Sequence, residues 1–191
     1  MYVVCIFHAE KEITMIDYAV TLEFDKETHN KIQEMIDEVA MATGCDYMKQ
    51  SKIPPHITVS ALVSNNETAL LSEMEDIAAS INKSSVWFAN IGVFNPLVIY
   101  LGPVMNEFLL NTCKTVNARL LQYAEVGNRG RYLPNQWVPH ACIAVKLTPD
   151  TSKEAFAIVQ EKFNAFGATA EKIVLARAEP YEELKSWELN N

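Results

Sequence analysis

Two short stretches of this chain are built alike, and they constrain its fold more than any other feature. The first reads Pro54-Pro55-His56-Ile57-Thr58-Val59-Ser60 and the second Trp137-Val138-Pro139-His140-Ala141-Cys142-Ile143-Ala144. Each sets proline directly before histidine and then runs on as an apolar strand. Strand side chains alternate between faces. That alternation puts His56, Thr58 and Ser60 on one face and turns Ile57, Val59, Ala61 and Val63 into a core. In the second stretch His140 and Cys142 share a face, opposite Ala141, Ile143, Val145 and Leu147.

The segments around the two stretches repeat in the same order. Tyr18, Val20, Leu22 and Phe24 alternate with polar or small neighbours, which predicts a strand over Asp17 to Phe24. Asp25 reads as a helix cap. Ile32, Met35, Ile36 and Val39 recur at helical spacing, and Gly44 is a stop. The His56 strand runs to Val63. Ser64-Asn65-Asn66 then opens a helix with Leu70, Met74, Ile77 and Ile81 on one face, followed by a strand from Val86 to Phe94 and a turn at Asn95-Pro96.

The second half reads the same way: a short strand Leu97 to Leu101, then a helix opened by Pro103 and striped by Phe108, Leu109, Val116 and Leu120. Gly127 to Gln136 is a polar loop, and Trp137 to Leu147 contains a strand. Thr151 and Glu154 fit a capping box for a helix with Phe156, Val159, Phe163 and Phe166, ended by Gly167. Strands from Lys172 to Ala178 and from Leu184 to Leu189 close the chain. The expected fold is α+β: two pseudo-symmetric lobes of antiparallel-rich sheet backed by helices, with a central cleft between them. Residues 1–191 read as a single bilobal domain whose lobes share the core, with 1–14 as an extra strand or extension.

Composition narrows the function. Of 191 residues, 49% are hydrophobic and 21% charged, an ordinary globular balance. The net charge is −8. A protein that grips a long phosphate backbone carries a basic surface, so the expected partner is a small nucleotide or an RNA terminus and not a long duplex. Cys5, Cys45, Cys113 and Cys142 are scattered, with no metal or disulfide spacing, which suits a reducing cytoplasmic compartment. The apolar run Met1 to Phe7 lacks a basic flank and meets charges at Glu10, so neither a signal peptide nor a membrane span is expected. A monomer is the expected state.

A proline-histidine strand on its own is an ordinary sheet-edge feature. Two of them, in equivalent places of a repeated pattern, point to chemistry. A phosphodiester reaction needs a neutral imidazole to take a proton from the attacking hydroxyl and an imidazolium to give one to the leaving oxygen. Histidine titrates near working pH and can do either. Two histidines fall short of a metal site, and no carboxylate cluster joins them, so neither a metal nor another cofactor is expected.

On these residues the chain resembles the two-histidine (2H) phosphoesterase superfamily, near its 2'-5' RNA ligase-like and cyclic phosphodiesterase branch. The resemblance rests on His56-Ile57-Thr58, on Trp137-Val138-Pro139-His140 and on the duplicated layout, from about Met15 onward. It implies a bilobal fold and metal-independent opening of 2',3'-cyclic phosphates, or cleavage or formation of 2'-5' linkages. His56 and His140 would be the catalytic pair and Thr58 a substrate-binding hydroxyl. Cys142 stands where the family pattern has Thr or Ser. A thiol is the weaker donor, which leaves open slowed turnover, a member that binds without turning over, or a plain strand residue.

The loop Asn128-Arg129-Gly130-Arg131-Tyr132 adds arginine forks for phosphate and a ring for a base. Arg131 and Tyr132 are the substrate-binding candidates there, with Arg129 behind them. Trp137 either stacks on a base or packs the strand edge. Lys49 and Lys52 add local positive charge or are solvated, and His8 and His29 have no assigned role. Besides the enzyme reading, a nucleotide- or RNA-binding protein that keeps the cleft but is catalytically weakened, or a scaffold with structural histidines, fits the same residues.

Overall fold

The computed structural model describes residues 14–191. The expectation of a strand or extension at 1–14 therefore falls outside the described residues except for Thr14, which lies in no strand; His8 and Cys5 also fall outside them. The chain order is β1 (Ile16–Phe24), α1 (Lys26–Thr43), α2 (Tyr47–Gln50), β2 (His56–Ser64), α3 (Glu67–Ala79), β3 (Ser84–Phe94), β4 (Val98–Pro103), α4 (Glu107–Leu120), β5 (Glu125–Val126), β6 (Ala141–Ala144), α5 (Pro149–Lys162), β7 (Phe166–Arg177) and β8 (Glu182–Glu188).

Local chemistry accounts for most boundaries. The Asp25 carboxylate accepts from Thr28 N at 2.9 Å and from Thr169 N at 2.7 Å, so the cap of α1 is also tied to β7. Gly44, at φ 71°, closes α1 with its N–H on the Ala40 carbonyl. Three boundaries differ from the sequence expectation. Pro103 does not open α4; it ends β4 opposite Phe88, and the helix starts at Asn106, whose side chain accepts from Leu109 N at 2.9 Å. The box that opens α5 is Thr148 with Thr151, three residues earlier than the Thr151–Glu154 reading, because Pro149 fits the first helical position. That helix ends at Lys162, and Phe166 and Gly167 already belong to β7.

All the strand pairings are antiparallel, and the sheet runs β5-β2-β1-β7-β3-β4-β6, with β8 also on β7. Leaving β5 aside, matching β1 to β4, β2 to β6 and β7 to β3 reverses this order onto itself. The pseudo-twofold therefore passes between β7 and β3, and each half lends its last strand to the other half's sheet. Long β7 makes this possible: its first residues, Phe166 to Ala170, pair with β3, and Ala170 to Arg177 pair with β1. The helices cross over too, with α1 packed on α5 and β6, and α4 on α3 and β2.

The two histidine strands carry the same irregularity. Thr21 faces Thr58 and Val20 faces Ser60, so Val59 has no partner. Tyr100 faces Cys142 and Ile99 faces Ala144, so Ile143 has none. A bulge three residues after each histidine reverses the alternation beyond it. This corrects the expected faces. Ser60 does not share the His56 face; it turns into the core with Leu62, while Ala61 and Val63 are only half-buried.

Candidate active site

Although β2 and β6 lie near opposite ends of the strand path, they pack against each other. The Trp137 indole N–H donates to the Thr58 carbonyl at 3.0 Å and ties the two motifs together. Of the two readings for Trp137, the structure gives the packed one: it is 5% exposed and presents no open face for a base.

Each histidine is pinned in the same way. His56 Nδ1–H donates to the Pro54 carbonyl at 2.7 Å, and His140 Nδ1–H donates to the Val138 carbonyl at 2.7 Å. The prolines between them explain the geometry. Pro55 and Pro139 hold the preceding residue extended, and both are buried. The pin fixes the tautomer and leaves Nε2 of each ring as the free, proton-accepting nitrogen when the ring is neutral. Both rings are held below the ordinary histidine pKa. Burial is the main cause for each and the backbone carbonyls oppose it; for His56 the charge of His140 adds to the lowering. The two rings are thus close enough to feel each other, and a state with both protonated is disfavoured.

Thr58 and Cys142 occupy matching places but different surroundings. The Thr58 hydroxyl lies against the Tyr132 phenol, whose pKa burial pushes up to about 12. Cys142 is half-buried, and burial pushes its thiol to about 12, so it stays a neutral S–H and is no nucleophile. Aromatic rings surround His140: Phe94 at 4.8 Å, Tyr100 at 5.4 Å and Tyr132 at 6.1 Å between ring centroids. Tyr100 reaches this place by crossing Gly92, where a Cβ would fall 2.1 Å from its ring.

Phe94, Tyr132 and His140 open onto a groove of about 750 Å³ that also includes Cys142, Asn128, Arg131 and Gln136, within the range for a small-molecule ligand. Arg131 is its one permanently charged lining side chain among the described residues. Asn128 and Arg129 have φ of 43° and 54°, unusual for non-glycine residues, so the loop beneath Arg131 is strained. The Arg129 side chain is exposed and outside the groove, as are Lys49, which pairs with Asp37 at 3.7 Å, and Lys52. Among the described residues no three His, Cys, Asp or Glu side chains converge for a metal ion, and no helix is long and apolar enough to cross a membrane.

Of the residues singled out in the sequence, the fold puts His140, Cys142, Arg131 and Tyr132 on the groove, while Thr58 lies against the Tyr132 phenol and His56 near His140 without lining it. Sequence reasoning missed the aromatic wall of Phe94 and Tyr100, and it missed Asn117. Asn117 is 4% exposed on α4. Its amide donates to the Val59, Cys113 and Tyr132 carbonyls at 3.1, 2.8 and 3.2 Å and accepts from the Ser60 hydroxyl at 2.9 Å. It joins β2, just past Thr58, to the backbone of Tyr132. The available signal was a polar residue on the buried stripe of α4.

The profile of the 2'-5' RNA ligase superfamily matches residues 25–182. Solved structures share the fold. TT0787 of Thermus thermophilus superposes with a TM-score of 0.63 at 14% identity, over 92% of this chain and 99% of that one. E. coli LigT complexed with 3'-AMP gives 0.58 at 14% identity, over 93% of this chain and 100% of that one. LigT complexed with ATP gives 0.55 at 16% identity, over 93% and 99%. No curated protein sequence matches at a significant level.

Proposed function

The chain belongs to the 2'-5' RNA ligase superfamily, a family of phosphoesterases and ligases, and from that premise we propose that it opens 2',3'-cyclic phosphates, or cleaves or forms 2'-5' linkages, by metal-independent acid/base catalysis with His56 and His140. One Nε2 takes the proton of the attacking hydroxyl or water. The other imidazole, protonated, gives its proton to the leaving oxygen, and the reverse reaction exchanges the roles. The observation that carries this reading is the matched Nδ1 pin, which holds each imidazole to its own backbone in the same way and leaves each Nε2 free.

The electrostatics fit a singly protonated pair. A phosphate anion between the rings favours the imidazolium that burial otherwise resists, so substrate supplies the charge that makes the acid. Thr58 and Arg131 are the proposed phosphate contacts, and Tyr132 bounds the substrate. The groove's single permanent charge suits a mononucleotide or an RNA terminus. The LigT structures with 3'-AMP and ATP bound are consistent with ligands of that size. Cys45, Cys113 and Cys142 are free thiols, which suits a reducing, cytoplasmic compartment.

The test is turnover of a panel of 2',3'-cyclic nucleotides in EDTA by wild type, His56→Ala and His140→Ala. Metal-free activity lost in both variants is the expected result. Activity that needs added metal, or that survives either substitution, overturns the mechanism. Cys142, a neutral thiol in place of a hydroxyl, favours one second reading: a member that binds nucleotides with little turnover. Nucleotide binding without product would select it.

A further inference from the structure

The sheet face that carries His140 continues past it on the side away from the groove. On β3, Val86 and Phe88 are buried in the core, so Trp87 between them projects from the opposite face. Val104 lies across from it, its N–H donating to the Trp87 carbonyl at 2.8 Å. Two residues earlier and on the same face, Gly102 pairs with Asn90 and, one step beyond the Leu101–Ala141 pair, stands opposite His140. The Trp87–Val104 pair is therefore the next rung on the His140 face, about 7 Å along the strands, with Trp87 two strands over, about 10 Å. The groove runs the other way, toward Cys142, Val98 and Phe94. Trp87 is 51% exposed, whereas Trp137 and Trp187 are 5% and 8% exposed. Its β7 partner is Gly167, which has no side chain, and the ring leans over it: Cε3 and Cζ3 stand 3.6 Å from where a Cβ would be. One side of the indole is backed by the sheet and the other is open.

The acid/base chemistry makes no use of this ring. An open aromatic face takes a planar partner, and every nucleobase offers one. Trp87, Val104 and Met105 together expose on the order of 300 Å², well short of the roughly 800 Å² a side that a stable protein pair buries. Asn90 and Gly102, between the ring and His140, are uncharged, so a ligand is held here by stacking and not through its phosphates. A phosphorus between the two histidines has substituents on two sides. A nucleoside on one side enters the groove, and one on the other side runs over Gly102 toward Trp87. We propose that Trp87 is a second base platform, which stacks the outer nucleobase of a substrate whose phosphorus joins two nucleosides. This rests on the phosphodiesterase reading for the position of the phosphorus. A 2',3'-cyclic mononucleotide has one nucleoside and does not reach the platform, which therefore serves internucleotide linkages.

The experiment compares kcat/KM for 2'-5'-linked diadenosine monophosphate and for adenosine 2',3'-cyclic phosphate in wild type, Trp87→Ala and Trp87→Phe. Trp87→Ala should lower the dinucleotide value about tenfold, the worth of one base on an aromatic ring, and leave the cyclic nucleotide within about twofold. Trp87→Phe keeps a ring and should retain most of the dinucleotide value. The ratio of wild type to Trp87→Ala should hold between about 50 and 200 mM salt, because no phosphate contact is lost. Binding is read separately in His56→Ala from tryptophan emission. The dinucleotide should quench it, since the exposed indole is that of Trp87, and 3'-AMP should not. Equal losses on both substrates, no loss on the dinucleotide, a ratio that falls with salt, or no quench overturns the proposal. So does self-association that Trp87→Ala abolishes in place of any dinucleotide effect. Quench by the dinucleotide with no turnover of either substrate by wild type would leave the platform standing and sink the phosphodiesterase reading. Turnover of the cyclic nucleotide that needs both histidines, with no quench by the dinucleotide, would do the reverse.

Discussion

Across the ladder from His56 stands Glu23, with Lys172 beyond it on β7. Continuing the β4–β6 register by one step puts Gly102 opposite His140, with Asn90 beyond it on β3, its amide lying where a Cβ of Gly102 would be. One step on, Thr21 faces Thr58 where Tyr100 faces Cys142. The two halves share the backbone of the motif, proline, pinned ring and bulge, and differ in nearly every side chain that looks onto it. The His56 wall is polar and carries charged side chains. The His140 wall is aromatic, with a thiol. The twofold-related imidazoles of the proposed site are thereby set in two unlike surroundings, so that a substrate with unlike ends would have one way to lie.

Removing a ring should have the largest effect and should expose that difference. His56→Ala and His140→Ala should each lower kcat by about a hundred- to ten-thousandfold. Only His140→Ala should also raise KM several-fold, since it opens a gap among Phe94, Tyr100 and Tyr132. Steady-state kinetics with one cyclic nucleotide checks this; equal KM changes would mean that the aromatic wall does not hold substrate.

Asn117 ties the His56 strand to the backbone of Tyr132 and has no counterpart described on β6. Asn117→Ala removes an amide donor from the Val59 and Tyr132 carbonyls and strands the Ser60 hydroxyl. The expected loss is about 3 kcal/mol in urea unfolding, in the range for a broken buried polar network. A loss under about 1 kcal/mol would mean that water replaces the amide.

A milder change makes the walls more alike. Cys142→Thr restores a hydroxyl at the place matching Thr58 and should raise kcat about three- to tenfold, one hydrogen bond's worth. No gain on any cyclic nucleotide would show that the second hydroxyl is not what limits this protein.

These asymmetries also mark how far the sequence could be read. Alternation over Tyr18 to Phe24, the Asp25 cap and the Gly44 stop are local signals and were legible, as were the two histidines, because proline and alternation act on neighbouring residues. The exchange of β7 and β3 between halves was not legible, since no local signal says which distant strand a strand will pair with. The bulges at Val59 and Ile143 were hidden for a related reason. Both residues are apolar and stay buried, and only the partner strand shows that the ladder slips there. The α5 start was misread because two threonines three residues apart offered overlapping caps. The aromatic wall needed Gly92 and Tyr100 to be brought face to face across β3 and β4.

The smallest expected effect concerns pH. Both rings are held neutral by burial, and the unfolded chain titrates each near pH 6.5. Between that value and the lower folded values the unfolded state binds more protons than the folded one, so stability should fall as pH drops below about 6.5 and should be insensitive to these rings above it. The urea midpoint should therefore decline between pH 7.5 and 5.5 by more in wild type than in His56→Gln, which cannot titrate. For catalysis the same shifts put the kcat/KM optimum, which reports the free enzyme, at or below about pH 6.5. The kcat optimum should lie higher, because bound phosphate favours the imidazolium. Identical optima for kcat and kcat/KM would mean that the phosphate does not sit between the rings.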